Sequence, residues 1–346
     1  MIVVVKRDSS YIELFDESIR GLFKDALRIS LNDPGMALFL RRTIKWQAQA
    51  ARVRAAWEEK GLHVPAFMIA SITHRCNLQC SGCYARAHHR PVEEEMNNAE
   101  LRSVVAEASE LGISIVLLAG GEPLARPEIL NITRDFPRII FPLFTNGLLL
   151  DSAAIVKLKG QRNVIPVISM EGEETETDAR RGKGVYRRLQ GVIADLHGER
   201  IFFGTSITVT QRNFDLVTDE RFIGGLFARG CRLFFFIDYV PVEEGTDDLV
   251  LTEAQRAQEA EAILSLRANF PGLFVAFPGG EEEFGGCLAA GRGFVHLSPE
   301  GRVEPCPFSL LISLRGDRTG ERVDVRRSEV KRCTKQLIWR IEPSHR

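Results

Sequence analysis

Nowhere does this chain carry an apolar run of the eighteen or so residues that a transmembrane helix needs, because a charge or a proline interrupts every such run earlier. Its start, Met1-Ile2-Val3-Val4-Val5-Lys6, is too short and wrongly flanked for a secretory signal peptide. Net charge is nearly absent as well. Lys and Arg total 45 against 46 Asp and Glu, a formal −1 that argues against a dedicated nucleic-acid binder and does not bear on a local basic patch. Cysteine is sparse, with seven in 346 residues, and without a secretory signal that usage fits a reducing compartment rather than a disulfide framework. What is present, 45% hydrophobic and 26% charged residues, is ordinary for a soluble protein long enough to bury one large core and a smaller appended unit. A cytoplasmic location is expected.

Three of the seven cysteines stand together in Arg75-Cys76-Asn77-Leu78-Gln79-Cys80-Ser81-Gly82-Cys83-Tyr84, a C-x3-C-x2-C spacing. Clustered thiols in a reducing compartment are usually metal ligands or catalytic groups. Thiols this close can bind a cubic [4Fe-4S] cluster through three of its irons and leave the fourth without a protein ligand. Zinc is the alternative, but zinc sites favour C-x2-C pairs and need a fourth ligand, for which His74, His88 and His89 are near.

Residues 10–64 read as two helices broken at Asn32-Asp33-Pro34-Gly35. The second carries Leu40, Ile44, Ala48, Ala51 and Ala55 at helical spacing with Arg41, Arg42, Lys45, Arg52 and Arg54 between them. That pattern means a helix packed on the main domain, with a foot on an anionic membrane as the less favoured reading. From Val64-Pro65 short apolar strands alternate with amphipathic helices. Strands are expected at 66–73, 113–119, 139–144, 164–170, 201–208 and 233–239, and a last helix at 252–269. Such alternation calls for a parallel sheet with ligand sites at the C-terminal strand ends, and does not separate a barrel from an open doubly wound sheet.

The cysteine loop leaves the first of these strands, and Gly120-Gly121-Glu122-Pro123 follows the second. Together these motifs resemble the radical S-adenosylmethionine (SAM) enzymes. The resemblance implies an α/β fold, a partial (β/α)6 TIM-type barrel, with the six strands above as its units. It implies that Cys76, Cys80 and Cys83 hold a [4Fe-4S] cluster, that SAM chelates the open iron, and that one electron cleaves it to a 5'-deoxyadenosyl radical that abstracts hydrogen from substrate. Gly120, Gly121, Glu122 and Pro123 would then meet the methionyl amino group. Ser169-Met170-Glu171-Gly172 resembles the family's S-x-D-G with Glu for Asp, which gives Ser169 a hydrogen bond to SAM. Asp178-Ala179-Arg180-Arg181-Gly182 resembles D-x-x-R-G, which offers Arg181 to the SAM carboxylate; a solvated charge run is the alternative. Thr145-Asn146-Gly147 is family-typical near the ribose. The residue before the third cysteine, commonly aromatic in the family, is Gly82 here, and Tyr84 stands one place after Cys83 as a candidate for holding adenine.

Past Phe270-Pro271-Gly272 the rhythm breaks. Thirteen residues separate Cys287 from Gly301 and four separate Gly301 from Cys306, which resembles the opening of the SPASM and Twitch extensions. The resemblance implies a small C-terminal unit containing a β-hairpin, with an auxiliary iron–sulfur cluster on Cys287, Cys306 and, if the Arg- and Lys-rich tail takes part, Cys333. Two structural thiols are the alternative. Cys231 matches no motif and reads as structural. The expected domains are an N-terminal helical extension (1–64), a radical SAM core (65–270) and a Twitch/SPASM-like extension (271–346). The implied partners are a reductant such as a ferredoxin or flavodoxin, and a peptide, protein or small cofactor precursor as substrate, with Asp238 and Tyr239 as candidates to face it. A non-catalytic iron–sulfur electron carrier and a membrane-associated enzyme acting on lipid are the rivals. No nucleic acid is expected.

Overall fold

A computed structural model describes residues 9–31, 33–87, 94–277, 286–308 and 339–340. Cys333, His88 and His89 lie outside them. The strands in chain order are β1 (Leu62–His63), β2 (Phe67–Ser71), β3 (Ile115–Ala119), β4 (Phe141–Thr145), β5 (Val164–Met170), β6 (Gly204–Val209), β7 (Leu233–Asp238), β8 (Leu273–Phe277), β9 (Phe294–Leu297), β10 (Val303–Glu304) and β11 (Trp339–Arg340). The α-helices are α1 (Ser9–Ile29), α2 (Pro34–Glu58), α3 (Tyr84–Ala87), α4 (Asn98–Leu111), α5 (Ile129–Ile132), α6 (Ser152–Lys159), α7 (Glu174–Arg181), α8 (Val185–Gly198), α9 (Phe214–Val217), α10 (Glu220–Ala228) and α11 (Glu253–Asn269).

Strands β2 to β7 pair in sequence order, all parallel, and curl into the half-barrel of a partial TIM barrel. Two further strands extend it beyond the six units read from the sequence. Strand β8 adds to β7 in parallel, and β9 adds to β2 from the opposite edge, carrying β10 as an antiparallel hairpin partner. Strand β1 pairs antiparallel with β11 apart from this sheet.

Alternation along each strand divides the core into two layers. Met68, Ala70, Val116, Leu118, Leu143, Ile168, Phe234 and Phe236 pack with Leu101, Val105, Leu189, Ile223 and Leu266 of the outer helices. The other face begins apolar: Val167, Leu233 and Leu273 meet Phe23, Ala26, Met36 and Leu40 of α1 and α2. Leu40 and Ile44 of the α2 stripe are therefore used inside the protein, whereas Ala55 at its end is exposed. Arg54 of the same helix is buried, donating to the Gly112 carbonyl and paired with Asp16. Towards the C-terminal strand ends the same face turns polar, with Ser71, Ser169, Ser206, Tyr239 and His296 at the alternating positions.

Local chemistry sets the helix limits. Asp33 caps α2 by accepting from the Met36 amide at 2.9 Å, with Pro34 at the first helical position. Asn97 and Glu100 form a capping box on α4, which ends at Gly112 with φ +92°. Thr252 and Gln255 do the same for α11. Among the described residues no helix is long and apolar enough to cross a membrane.

Candidate functional site

The cysteine loop leaves β2 and is strapped at once to the turn after β3. The Gly121 amide donates to the Thr73 carbonyl at 2.7 Å, and the Glu122 amide to the Arg75 carbonyl at 2.8 Å. Only glycine fits such an approach. A Cβ on Gly121 would sit 2.3 Å from the Arg75 carbonyl oxygen, and one on Gly120, at φ +126°, 2.6 Å from the Thr73 oxygen. With the Gly121 and Glu122 amides engaged by the loop, neither is free to donate to a ligand at this turn. Glu122 itself is buried and points backwards: its carboxylate accepts from Thr145 Oγ1 and the Asn146 amide, both at 2.7 Å, and from the Leu124 amide at 3.0 Å. Burial pushes its pKa above the ordinary range. The ends of β2, β3 and β4 are thus tied into one platform.

Asn146 closes that platform over the loop, donating to Asn77 Oδ1 at 2.7 Å, with Cys76 Sγ at 3.8 Å. The Leu78 amide lies 3.4 Å from the same sulfur. Burial raises the Cys76 and Cys80 thiol pKa values, and Cys83 lies close enough to raise both further, while Arg181 and Arg180 work the other way on Cys80. Among the described residues no three His, Cys, Asp or Glu side chains close on a point as ligands of one ion would. A cubic cluster makes a different demand, since its thiolates bind separate irons around a body several ångströms across, with N–H groups near the sulfurs. Three cysteines on one loop, an amide and a carboxamide at Cys76, and guanidinium groups beside Cys80 fit that group.

A hub that sequence reasoning missed holds the far side of the loop. Arg180 on α7 donates through Nε to the Ser81 carbonyl at 3.1 Å and through Nη2 to the Gly82 carbonyl at 3.5 Å, and its own carbonyl accepts from the Ser81 amide at 3.1 Å. Its Nη1 reaches Thr208 Oγ1 and Glu171 Oε1, both at 2.6 Å. Arg181 forks onto the same carboxylate, Nε to Oε2 and Nη2 to Oε1, each at 2.6 Å. The fork expected to meet a ligand carboxylate is held here by Glu171. Burial alone would raise the Glu171 pKa, but Arg181 and then Arg180 outweigh it and hold the carboxyl below its ordinary range. The extra methylene of Glu over Asp gives this carboxylate the reach to bind both arginines. Ser169, two residues earlier, is half-buried beside Ser206 Oγ at 3.0 Å.

Tyr84 lies where the cysteine loop meets the C-terminal hairpin. Burial, helped by Cys83, pushes its pKa to about 12; its hydroxyl meets Ser71 and the Gly120 backbone, and Cys306 is among the charges near it. Its ring meets Phe308 edge-on, centroids 5.2 Å apart. Cys287 and Cys306 flank β9–β10, and the Ala290 amide joins their two segments by donating to the Pro305 carbonyl at 2.9 Å. On β9, His296 Nδ1 pairs with Glu304 at 2.9 Å and Nε2 with Ser71 Oγ at 2.8 Å. His74 pairs with Glu300, whose pKa burial would raise; the His74 and Ser298 hydrogen bonds hold it at about 2 instead. Ser71, His74, Tyr84, Gly120, His296 and Glu300 line a cleft beside the loop. Asp238 faces away from this cleft. Alternation turns it toward α11, where it meets Glu259, with Arg256 Nε 3.8 Å away. Cys231 is buried, its thiol pushed up to about 12 by burial, as a structural cysteine would be.

Residues 70–215, from the end of β2 through the start of α9, match the Radical SAM superfamily. The chain carries a radical SAM domain over this stretch. Among radical SAM relatives it is 27% identical to an AdoMet-dependent heme synthase of Methanosarcina barkeri, over 71% of this chain and 78% of that protein. It is 24% identical to the PqqA peptide cyclase of Gluconobacter oxydans, over 81% and 77%. In fold it resembles the crystal structure of Streptococcus suis SuiB bound to S-adenosylmethionine, with a TM-score of 0.59 at 16% identity. That match covers 76% of this chain and spans 64% of SuiB's length.

Proposed function

We propose that this radical SAM enzyme removes hydrogen from a peptide side chain or a cofactor precursor, with a [4Fe-4S] cluster on Cys76, Cys80 and Cys83. When bound, the cluster and SAM supply one-electron cleavage of the sulfonium and a 5'-deoxyadenosyl radical. The observation that carries the reading is the anchored cysteine loop: Gly121, Glu122, Asn146 and Arg180 hold it from three sides at the mouth of the half-barrel. An electron carrier needs the cysteines but has no use for a glycine turn this close to them or for an adjoining cleft. Gly120 to Pro123 are proposed to meet the SAM amino group, and Ser169 lies at the next strand end but one. The names of the heme synthase and peptide cyclase relatives support a cofactor precursor or a peptide as substrate.

Cys287 and Cys306 are proposed to hold an auxiliary cluster, with Cys333 as a further candidate ligand, and a low-potential ferredoxin or flavodoxin to supply the electron. Residues 1–64, 65–270 and 271–346 are proposed as helical extension, core and Twitch/SPASM-like extension, the last contributing β8 and β9 to the common sheet. The test is spectroscopic. Anaerobically reconstituted protein reduced with dithionite is expected to give a [4Fe-4S]⁺ EPR signal that changes on adding SAM, and a signal indifferent to SAM would overturn the reading.

A further inference from the structure

Tyr239 follows the last residue of β7, and alternation turns its side chain to the opposite side from Asp238, toward the mouth of the half-barrel. Its backbone is fixed, the amide donating to the Val209 carbonyl at 2.9 Å. The side chain is 4% exposed, and its hydroxyl oxygen, out of reach of solvent, has no hydrogen-bond partner among the described residues. A buried hydroxyl without a partner is costly, and Tyr hydroxyls in cores ordinarily find one. Its ring lies against Gly82, inside the turn between Cys80 and Cys83. A Cβ at Gly82 would lie 2.6 Å from the Tyr239 oxygen, 2.8 Å from Cε2 and 3.0 Å from Cζ. Gly82 also has φ +61°, a conformation glycine adopts freely. The two residues are matched, the loop lacking a side chain where β7 supplies an aromatic ring, while Arg180 grips the same Ser81-Gly82 carbonyls.

We propose that Tyr239 donates a hydrogen bond through its hydroxyl to the ligand assembled on the Cys76–Cys83 loop. The acceptor is a sulfur of the iron–sulfur group or a heteroatom of SAM. The inference rests on the function proposed above and deepens it with a ligand-contacting residue about 160 positions from the cysteines.

Tyr239→Phe keeps the ring and removes only the hydroxyl. Since that hydroxyl bonds nothing among the described residues, the apoprotein variant is expected to melt no lower than wild type; a lower melting temperature would mean the hydroxyl already has a protein partner, which overturns the proposal. Two further readouts separate the acceptors. If the acceptor is a cluster sulfur, EPR-monitored redox titration without SAM will show a more negative midpoint in the variant, since hydrogen bonds to sulfur help set the potential. If it is SAM, the midpoint will stay and the SAM dissociation constant, by anaerobic equilibrium dialysis, will rise about fivefold, the worth of one neutral hydrogen bond. Midpoint and affinity both unchanged, with wild type carrying its cluster and binding SAM, would overturn this inference alone. Wild type that assembles no cluster on Cys76, Cys80 and Cys83 would overturn the function beneath it as well.

Discussion

Glu171→Gln is the sharpest structural perturbation of the site, because one buried carboxylate pairs with two guanidinium groups, one of which, that of Arg180, holds the cysteine loop. Glu171 is 3% exposed and accepts three hydrogen bonds, two from Arg181 and one from Arg180. The amide is nearly isosteric, but it removes the charge and sets an NH2 against guanidinium N–H groups, donor against donor. Arg181, whose side chain is 9% exposed, is then a buried charge without its counter-ion. Breaking a buried pair in this way costs about 3–5 kcal/mol. The unfolding entropy of a chain this long is about 0.7 kcal/mol per K, so the apoprotein should lose about 4–7 °C in melting temperature. Glu174→Gln, exposed at the start of α7, should stay within about 0.5 kcal/mol of wild type. Glu171→Asp keeps the charge but shortens the reach, and should fall between them. The assays are differential scanning calorimetry of the apoprotein and iron content after reconstitution, since a displaced Arg180 frees Ser81 and Gly82. Wild-type melting and iron in Glu171→Gln would refute the hub.

Three further outcomes follow from other parts of the molecule. Gly121→Ala drives a Cβ to within 2.3 Å of the Arg75 carbonyl, backbone against backbone; it should cost at least about 1–3 kcal/mol and lower reconstituted iron, and normal iron and melting would contradict the strap. Glu259 is pushed up to about 8 by burial and by Asp238, so it contributes stability fully below its ordinary value near 4.5, and loses it as pH rises through about 8. Wild type should weaken across that window by up to about 1.4 kcal/mol per pH unit, Glu259→Gln should flatten the melting profile, and parallel profiles would refute the shared-proton pair. The Cys76/Cys80/Cys83→Ala triple variant should retain about four iron and four sulfide on the auxiliary site if Cys287 and Cys306 bind a cubic cluster. Adding Cys333→Ala then shows whether the tail supplies a ligand, while a folded triple variant without cluster absorbance would mean a single-cluster enzyme.

The parallel core was legible because its strands are apolar runs of strand length, the first four of them followed by a motif at the C-terminal end, as with Ser71 before the cysteine loop and Ala119 before Gly120. The two outermost parallel strands were not. Leu273–Phe277 follows Pro271-Gly272 with no amphipathic helical pattern after it in the sequence to mark a unit, and Phe294–Leu297 finds its partner β2 more than two hundred residues earlier, which no local pattern encodes. The site divides in the same way. Cys76, Cys80, Cys83 and Gly120 to Pro123 are contiguous motifs, whereas the Gly82–Tyr239 match and the grip of Arg180 on Ser81 are long-range fits between elements. Motif reading pointed to Arg181 and passed over Arg180 beside it. The structure puts Arg180 on the cysteine loop and both arginines on Glu171, whose length in place of Asp was the available signal.

Release of 5'-deoxyadenosine tests the central claim most directly. Anaerobically reconstituted protein, given SAM and dithionite, is predicted to release it, quantified by liquid chromatography and mass spectrometry, and the Cys76/Cys80/Cys83→Ala variant to release none above the protein-free control. Equal release by the two proteins, or none from a cluster-loaded wild type, would contradict SAM cleavage at this loop.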